Sequence, residues 1–282
     1  MRTIRCLQYV ILTVIFIVLT VNLCLVIRYK YKTLPSATVP RYPLTDSAIP
    51  TVFVSFAGGG NPVHIANQDM QKKPNQEFIP NLQKTYYETD KTLQDDYYTK
   101  LSPELKDATR GFHYWSWKPY VTLRAMYDSP DGVVIIYLDT GAFLKRSIQA
   151  LVEFAQQYGS IFFNNFHDNT SYCKCEPVQK LLTSDVDRSK FRKTLQLDAA
   201  FYLVLNNSEN RKFMKEWLDV CLDYSLVSDS KSKDCSESSA FHDHRHDQAL
   251  LTLVAFKYPK LQKLFPHSKK HWYINHHRRR SL

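Results

Sequence analysis

Glycine is scarce in this 282-residue chain: there are seven, three of them consecutive at Gly58-Gly59-Gly60. Neither G-x-G-x-x-G nor G-x-x-x-x-G-K-[ST] occurs, so both glycine-rich nucleotide motifs are excluded. H-E-x-x-H is absent, which removes the familiar zinc-hydrolase helix. No helix-turn-helix, zinc-finger or RNA-binding signature accompanies the net charge of +10, from 37 basic and 27 acidic residues. No segment repeats. No A-x-A-like cleavage site follows the apolar run at residues 7–27, so that run is expected to stay in the chain.

The run carries no charge and has about the 20 residues that a helix needs to cross a bilayer. The expected organisation is a cytosolic tail at 1–6, a transmembrane signal anchor at 7–27, a stem at 28–50 and one globular domain at 51–282. The stem holds Pro35, Pro40, Pro43 and Pro50 among Ser and Thr, as a spacer would. Both anchor flanks are basic, so charge leaves the orientation open. Two N-glycosylation sequons, at Asn169 and Asn206, favour a lumenal body. Cys173, Cys175, Cys221 and Cys235 lie outside the anchor, and at least one disulfide is expected among them. The expectation is a single-pass type II membrane protein of the Golgi or endoplasmic reticulum.

The globular part has material for a core, with 18 Tyr and 16 Phe. Apolar β-branched runs predict strands at 51–57, 133–138 and 160–166, and another at FYLVL, 201–205. Helical spacing predicts helices over 115–127, 152–158, 210–224 and 249–258, with Pro119 in a first turn. The polar stretch 61–109 is expected to hold helical pieces. Strands alternating with helices imply an α/β fold with a mixed, mostly parallel sheet.

In such sheets ligands bind beyond the carboxyl ends of strands. Residues 133–141, VVIIYLDTG, end a buried-looking strand on Asp139. That carboxylate either caps the following segment or holds a divalent cation, Mn²⁺ or Mg²⁺, and through it a diphosphate. The glycines at 58–60 let backbone approach a ligand, or form a plain flexible turn. Lys118 either neutralises phosphate or snorkels over an aromatic surface. Trp115 and Trp117 are core or stacking residues, and His113 reads as structural. The run His242-Asp243-His244-Arg245-His246-Asp247, with His276 and His277, offers metal ligands.

Three stretches carry a resemblance: GFHYWSWKPY at 111–120, YLDTG at 137–141 and RHDQALL at 245–251. Together they resemble a glycosyltransferase family with the GT-A nucleotide-sugar fold. The run NNSENRKFMKEWLDVC at 206–221 is similar to the family's segment before HDQ. The likeness spans about residues 51–258. The WKP and HDQ pieces are specific as a pair, whereas YLD alone is common. The resemblance implies transfer of a sugar from a nucleotide-diphosphate donor to a glycan, protein or lipid acceptor. It aligns Asp139 with the first aspartate of the family's D-x-D metal motif. Gly141 stands where the second aspartate belongs, so a cation needs another ligand, with His246 proposed, or the enzyme works without one. Asp247 and Gln248 are then the catalytic pair. Phe56, Ala57, Trp117, Lys118, Asp139 and Gly141 fall on the donor side. The alternatives are a non-catalytic carbohydrate-binding relative and, third, a His/Asp metal hydrolase.

Overall fold

Thr51–Ala57 forms β1, which is wholly buried. Leu82–Thr89 is β2, Val134–Leu138 β3, Ala142–Leu144 β4 and Ser160–Asp168 β5; Leu195–Leu197 is β6, Phe201–Leu205 β7, Lys263–Phe265 β8 and Ile274–His276 β9. This computed structural model describes residues 49–261 and 263–276. The cytosolic tail, the anchor and most of the stem lie outside the described residues, as does His277. No helix among the described residues is long and apolar enough to cross a membrane.

The main sheet runs β2-β1-β3-β7-β5-β6, with β8 also paired to β5. Pairings β1–β2, β1–β3 and β5–β8 are parallel, while β7 opposes both β3 and β5, and β6 opposes β5. Five strands therefore point one way and two the other, the mixed and mostly parallel sheet the pattern implies. β1 and β3 are continuous apolar runs because both faces are covered. Val52, Val54, Phe56, Ile135 and Tyr137 face one core, with Trp217 and Leu250 from helices. Phe53, Val134, Ile136 and Leu138 face the other, with Leu151 and Val152.

The helical pieces expected in 61–109 are present, at Pro62–Phe78, Asp95–Lys100 and Pro103–Lys106, and the stretch LQKTYYET between the first two is a strand. It pairs as β2 along the sheet edge, where Gln83, Lys84 and Thr85 are exposed, and a polar, Lys-bearing edge resists pairing with other chains. Helix Trp117–Tyr127 starts two residues late, because the chain before it takes a left-handed path. The sequons are also misleading. Asn169 and Asn206 are 0% exposed. The Asn206 amide donates to the carbonyls of Met126, Ser129 and Pro130 at 2.8–2.9 Å. Asn169 donates to the backbone oxygen and hydroxyl of Thr194. Both amides are structural, and neither has room for a glycan once the domain is folded.

The disulfide expectation stands: Cys175 and Cys235 are joined, while Cys173 and Cys221 are free and buried. The bond closes a 60-residue separation, worth about 4 kcal/mol by loop entropy. It pins the irregular segment that leads into helix His246–Lys257.

Candidate functional site

Three distant segments converge on one ammonium group. Lys118 opens helix Trp117–Tyr127 and is 5% exposed. Its Nζ lies 3.2 Å from Asp139 Oδ2, 3.4 Å from Asp247 Oδ2 and 3.4 Å from the Ala199 carbonyl. Asp139 follows β3, and its side chain is 32% exposed, so it is the open edge of the cluster. Its Oδ1 accepts a 2.6 Å bond from the Tyr137 hydroxyl. Asp247 sits in the first turn of helix His246–Lys257 and is buried. Its Oδ2 makes the ion-pair contact with Lys118 but no hydrogen bond.

The turn that carries Asp139 is clamped by backbone and by one amide. Asp139 N donates to the Ala200 carbonyl at 2.8 Å. Gln71, fully buried on helix Pro62–Phe78, donates to the carbonyls of Asp139 and Ala142 at 2.9 and 2.7 Å. Ser55 of β1 in turn donates to Gln71. The Asp139 carboxylate therefore caps no helix; its backbone is fixed and its oxygens face Tyr137 and Lys118.

One cation serves two carboxylates, and the protonation equilibria reflect that. Burial alone would lower the Lys118 pKa, but Asp139 and Asp247 outweigh it and hold the ammonium charged above the usual lysine range. Burial pushes Asp247 up to about 7; Lys118 pulls it down and Asp139 pushes it further up. Burial, then Asp139, also keeps the Tyr137 hydroxyl protonated. A carboxyl raised to about 7 can exchange a proton near neutral pH.

Backbone strain gathers in the same segments. Gly111, Phe112, His113, Tyr114 and Trp115 all have φ between 49° and 63°, and His246 has φ 47°. A left-handed turn costs roughly 1–2 kcal/mol per L-residue, and such strain concentrates at functional sites. Among the described residues, five of the six non-glycine positions with positive φ belong to these two motifs, Asn81 being the sixth. Gly111 is required here: a Cβ would fall 2.4 Å from the Trp115 ring. Trp115 stacks on His246, with centroids 5.4 Å apart. The two strained motifs thus brace each other.

The other expected residues divide. Phe56 and Trp117 are buried and stacked, with centroids 4.1 Å apart, and Trp117 Nε1 donates to the Gly111 carbonyl. Ala57 is buried as well. These side chains pack the turns at the carboxyl end of β1. The amides of Gly59 and Gly60 are not free; both donate to the Asp90 carboxylate, at 2.8 and 2.9 Å. Gln248 accepts from Asn165 at 3.1 Å and donates to Gln196 at 2.7 Å, so its amide is held in a ladder beside Asp247. Gly141 lies at the open turn, where a Cβ would meet nothing within 4 Å and the φ is not left-handed.

The histidine run does not assemble as ligands. His244 Nε2 bonds the Leu226 carbonyl and His246 Nδ1 the Val227 carbonyl, both at 2.8 Å. Burial lowers the pKa of both rings. His246 Nε2 faces Asp229 at 3.6 Å, so its assignment as the second ligand beside Asp139 is corrected. Among the described residues, no group of three or more His, Cys, Asp or Glu side chains is placed to hold a metal ion. The β4–β9 register instead sets His276 beside Ala142. It is close enough for the Asp139 charge to oppose the lowering of its pKa by burial and by Lys270.

Sequence reasoning missed Gln71, Tyr137, Asp198 and Lys270. Asp198 and Lys270 form a second buried ion pair next to the Ala199 and Ala200 carbonyls. Nothing in the sequence announces a partner 72 residues away.

No protein-family model and no curated protein matches the chain. Solved structures similar to it include the following two. Mouse xyloside xylosyltransferase 1, apo form, has a TM-score of 0.43 and 11% identity over 77% of this chain and 85% of that one. Core-mannan synthase A from Aspergillus fumigatus, in its Mn/GDP form, has a TM-score of 0.44 and 9% identity over 84% and 77%. At that level the likeness carries no argument, and the functional reading rests on the residues.

Proposed function

We propose that the chain is a membrane-anchored glycosyltransferase of GT-A-like fold, using a nucleotide-diphosphate sugar. The observation that carries the reading is the convergence of the WKP, YLD and HDQ segments on Lys118, Asp139 and Asp247, with backbone strain in two of them. The diphosphate lies at the open Asp139 edge, beyond the carboxyl end of β3. Lys118 balances the charge that grows on the leaving diphosphate. The acceptor hydroxyl bonds to the anomeric carbon as the bond to the diphosphate oxygen breaks. Its proton passes to Asp247, whose pKa of about 7 suits an acid–base group at neutral pH. Gln248 fixes that helix turn through its amide ladder.

The residues at Asp139 do not fit a divalent cation well. Both carboxylate oxygens are engaged, by Tyr137 and Lys118, and Gly141 offers no oxygen. No step above passes through a metal. The anchor at residues 7–27 and the Cys175–Cys235 bond support a type II protein with its body in the oxidising lumen of the Golgi or endoplasmic reticulum.

The test is release of nucleoside diphosphate by the full-length chain from a panel of nucleotide sugars, with and without Mn²⁺. The expected result is consumption of one donor. The second reading, a carbohydrate-binding relative, is favoured by Gly141. A folded chain that binds glycans but neither binds nor consumes any donor would establish that reading instead.

A further inference from the structure

We infer that the face beyond Asp247 is an acceptor subsite for an anionic saccharide, with Arg245 as its carboxylate-binding group; this rests on the transferase reading above. The guanidinium of Arg245 lies over the Tyr172 ring, 5.2 Å from its centroid, and its backbone N–H donates to the Tyr172 carbonyl. Its Nε is buried and has no hydrogen-bond partner. No carboxylate of the described residues is paired with it. The nearby acids are spoken for. Asp168 accepts from the amides of Thr170 and Ser171 at 3.0 and 2.8 Å. Asp243 is paired with Arg110 at 3.5 Å, and Asp247 with Lys118. A half-buried, stacked guanidinium left without an internal anion is poised for an external one, and its planar fork matches a carboxylate.

The surroundings point to a sugar acid. His167 packs on Tyr172 at 4.3 Å, and the partly exposed amides of Asn165 and Gln248 adjoin them, braced from beneath by the buried Gln196. Rings and amides together meet the apolar faces and hydroxyls of a pyranose. The topology separates this face from the donor edge. Asp139 ends β3, whereas Asn165 and His167 belong to β5, two strands further along the order β3-β7-β5. Arg245 is therefore assigned to the acceptor and not to the donor diphosphate.

The experiment is equilibrium binding to the detergent-solubilised full-length chain with three probes: hyaluronan tetrasaccharide, its carboxyl-reduced form, and uridine or guanosine diphosphate. Wild type should bind the acidic tetrasaccharide at least about tenfold more tightly than the reduced one, the scale of one charge-assisted hydrogen-bond pair. Arg245→Gln should erase that preference, and Arg245→Lys should keep part of it. Nucleotide affinity should be the same in all three proteins, which also shows that the variants are folded. Equal affinity for the two saccharides, including none for either, overturns the inference. So does an Arg245→Gln protein that loses nucleotide affinity, since that would place Arg245 at the donor. If the acidic saccharide binds as expected and no nucleotide does, the anion subsite stands and the transferase reading falls.

Discussion

Two buried acid–base clusters lie side by side in this domain, and they are built differently. Lys270 and Asp198 form a closed pair: one cation, one carboxylate, both side chains within 5% of full burial. The other Asp198 oxygen accepts from the Ala200 amide at 2.8 Å. Both Asp198 oxygens are thus engaged, and the pair is balanced one charge against one. Lys118 instead faces two carboxylates, one of them a third exposed and the other with an oxygen that has no hydrogen bond. A cluster kept for stability has no reason to leave that imbalance. The closed pair holds the loop of Asp198, Ala199 and Ala200, whose carbonyls touch Lys118 and the Asp139 amide. One cluster is built as a frame, and the other is the one to which the proposed function assigns the chemistry.

The largest effect should come from opening the closed pair. Lys270→Met leaves Asp198 charged and alone, which typically costs about 3–5 kcal/mol. Chemical denaturation should show that loss as a lower midpoint. A midpoint unchanged from wild type would mean that the pair is no frame.

A smaller effect, with the opposite sign, is expected at Asp247. In an unfolded chain an aspartate titrates near 4, while in the folded domain Asp247 titrates at about 7. The fold therefore favours the protonated form. This contribution is complete below about pH 4, declines as pH rises, and is lost above about 7. Asp247→Asn carries no charge at any pH. It should be more stable than wild type at pH 8, by an amount that shrinks towards pH 4, while donor consumption falls. A stability difference that does not vary with pH would contradict the assigned shift.

The smallest expected effect is none. Ser171→Ala and Ser208→Ala each destroy a sequon but keep its buried asparagine. Protein from eukaryotic cells should migrate identically with and without these changes, before and after glycosidase treatment. A mobility shift at either sequon would mean that the chain tolerates a glycan where Asn169 or Asn206 is buried.

What could be read from sequence follows the range of the interactions. β1 and β3 were legible because a strand covered on both faces must be apolar throughout. Asp139 was legible because a carboxylate ending such a strand demands a partner, and Lys118 proved to be that partner, 21 residues away. β2 was not, since an exposed edge strand has the polar composition of a surface helix. Lys270 and Gln71 could not be found, because each acts on a turn about 70 residues distant. The histidine run misled for a related reason. His244 and His246 are spent on carbonyls of Leu226 and Val227, partners that leave no trace in side-chain identity. The sequons showed that a short pattern says nothing about burial.

The central claim is that the unbalanced cluster performs sugar transfer. The most direct measurement is the rate of nucleoside diphosphate release by full-length Asp139→Asn, compared with wild type on the donor that wild type consumes. Asn keeps the shape of the turn and removes one of the two charges on Lys118. The expected result is a fall of roughly a hundredfold or more, the usual scale for impairing an acid–base group, because Asp139 fixes the Lys118 ammonium and helps raise the Asp247 carboxyl, with the unfolding midpoint close to wild type. A rate within about twofold of wild type would contradict it.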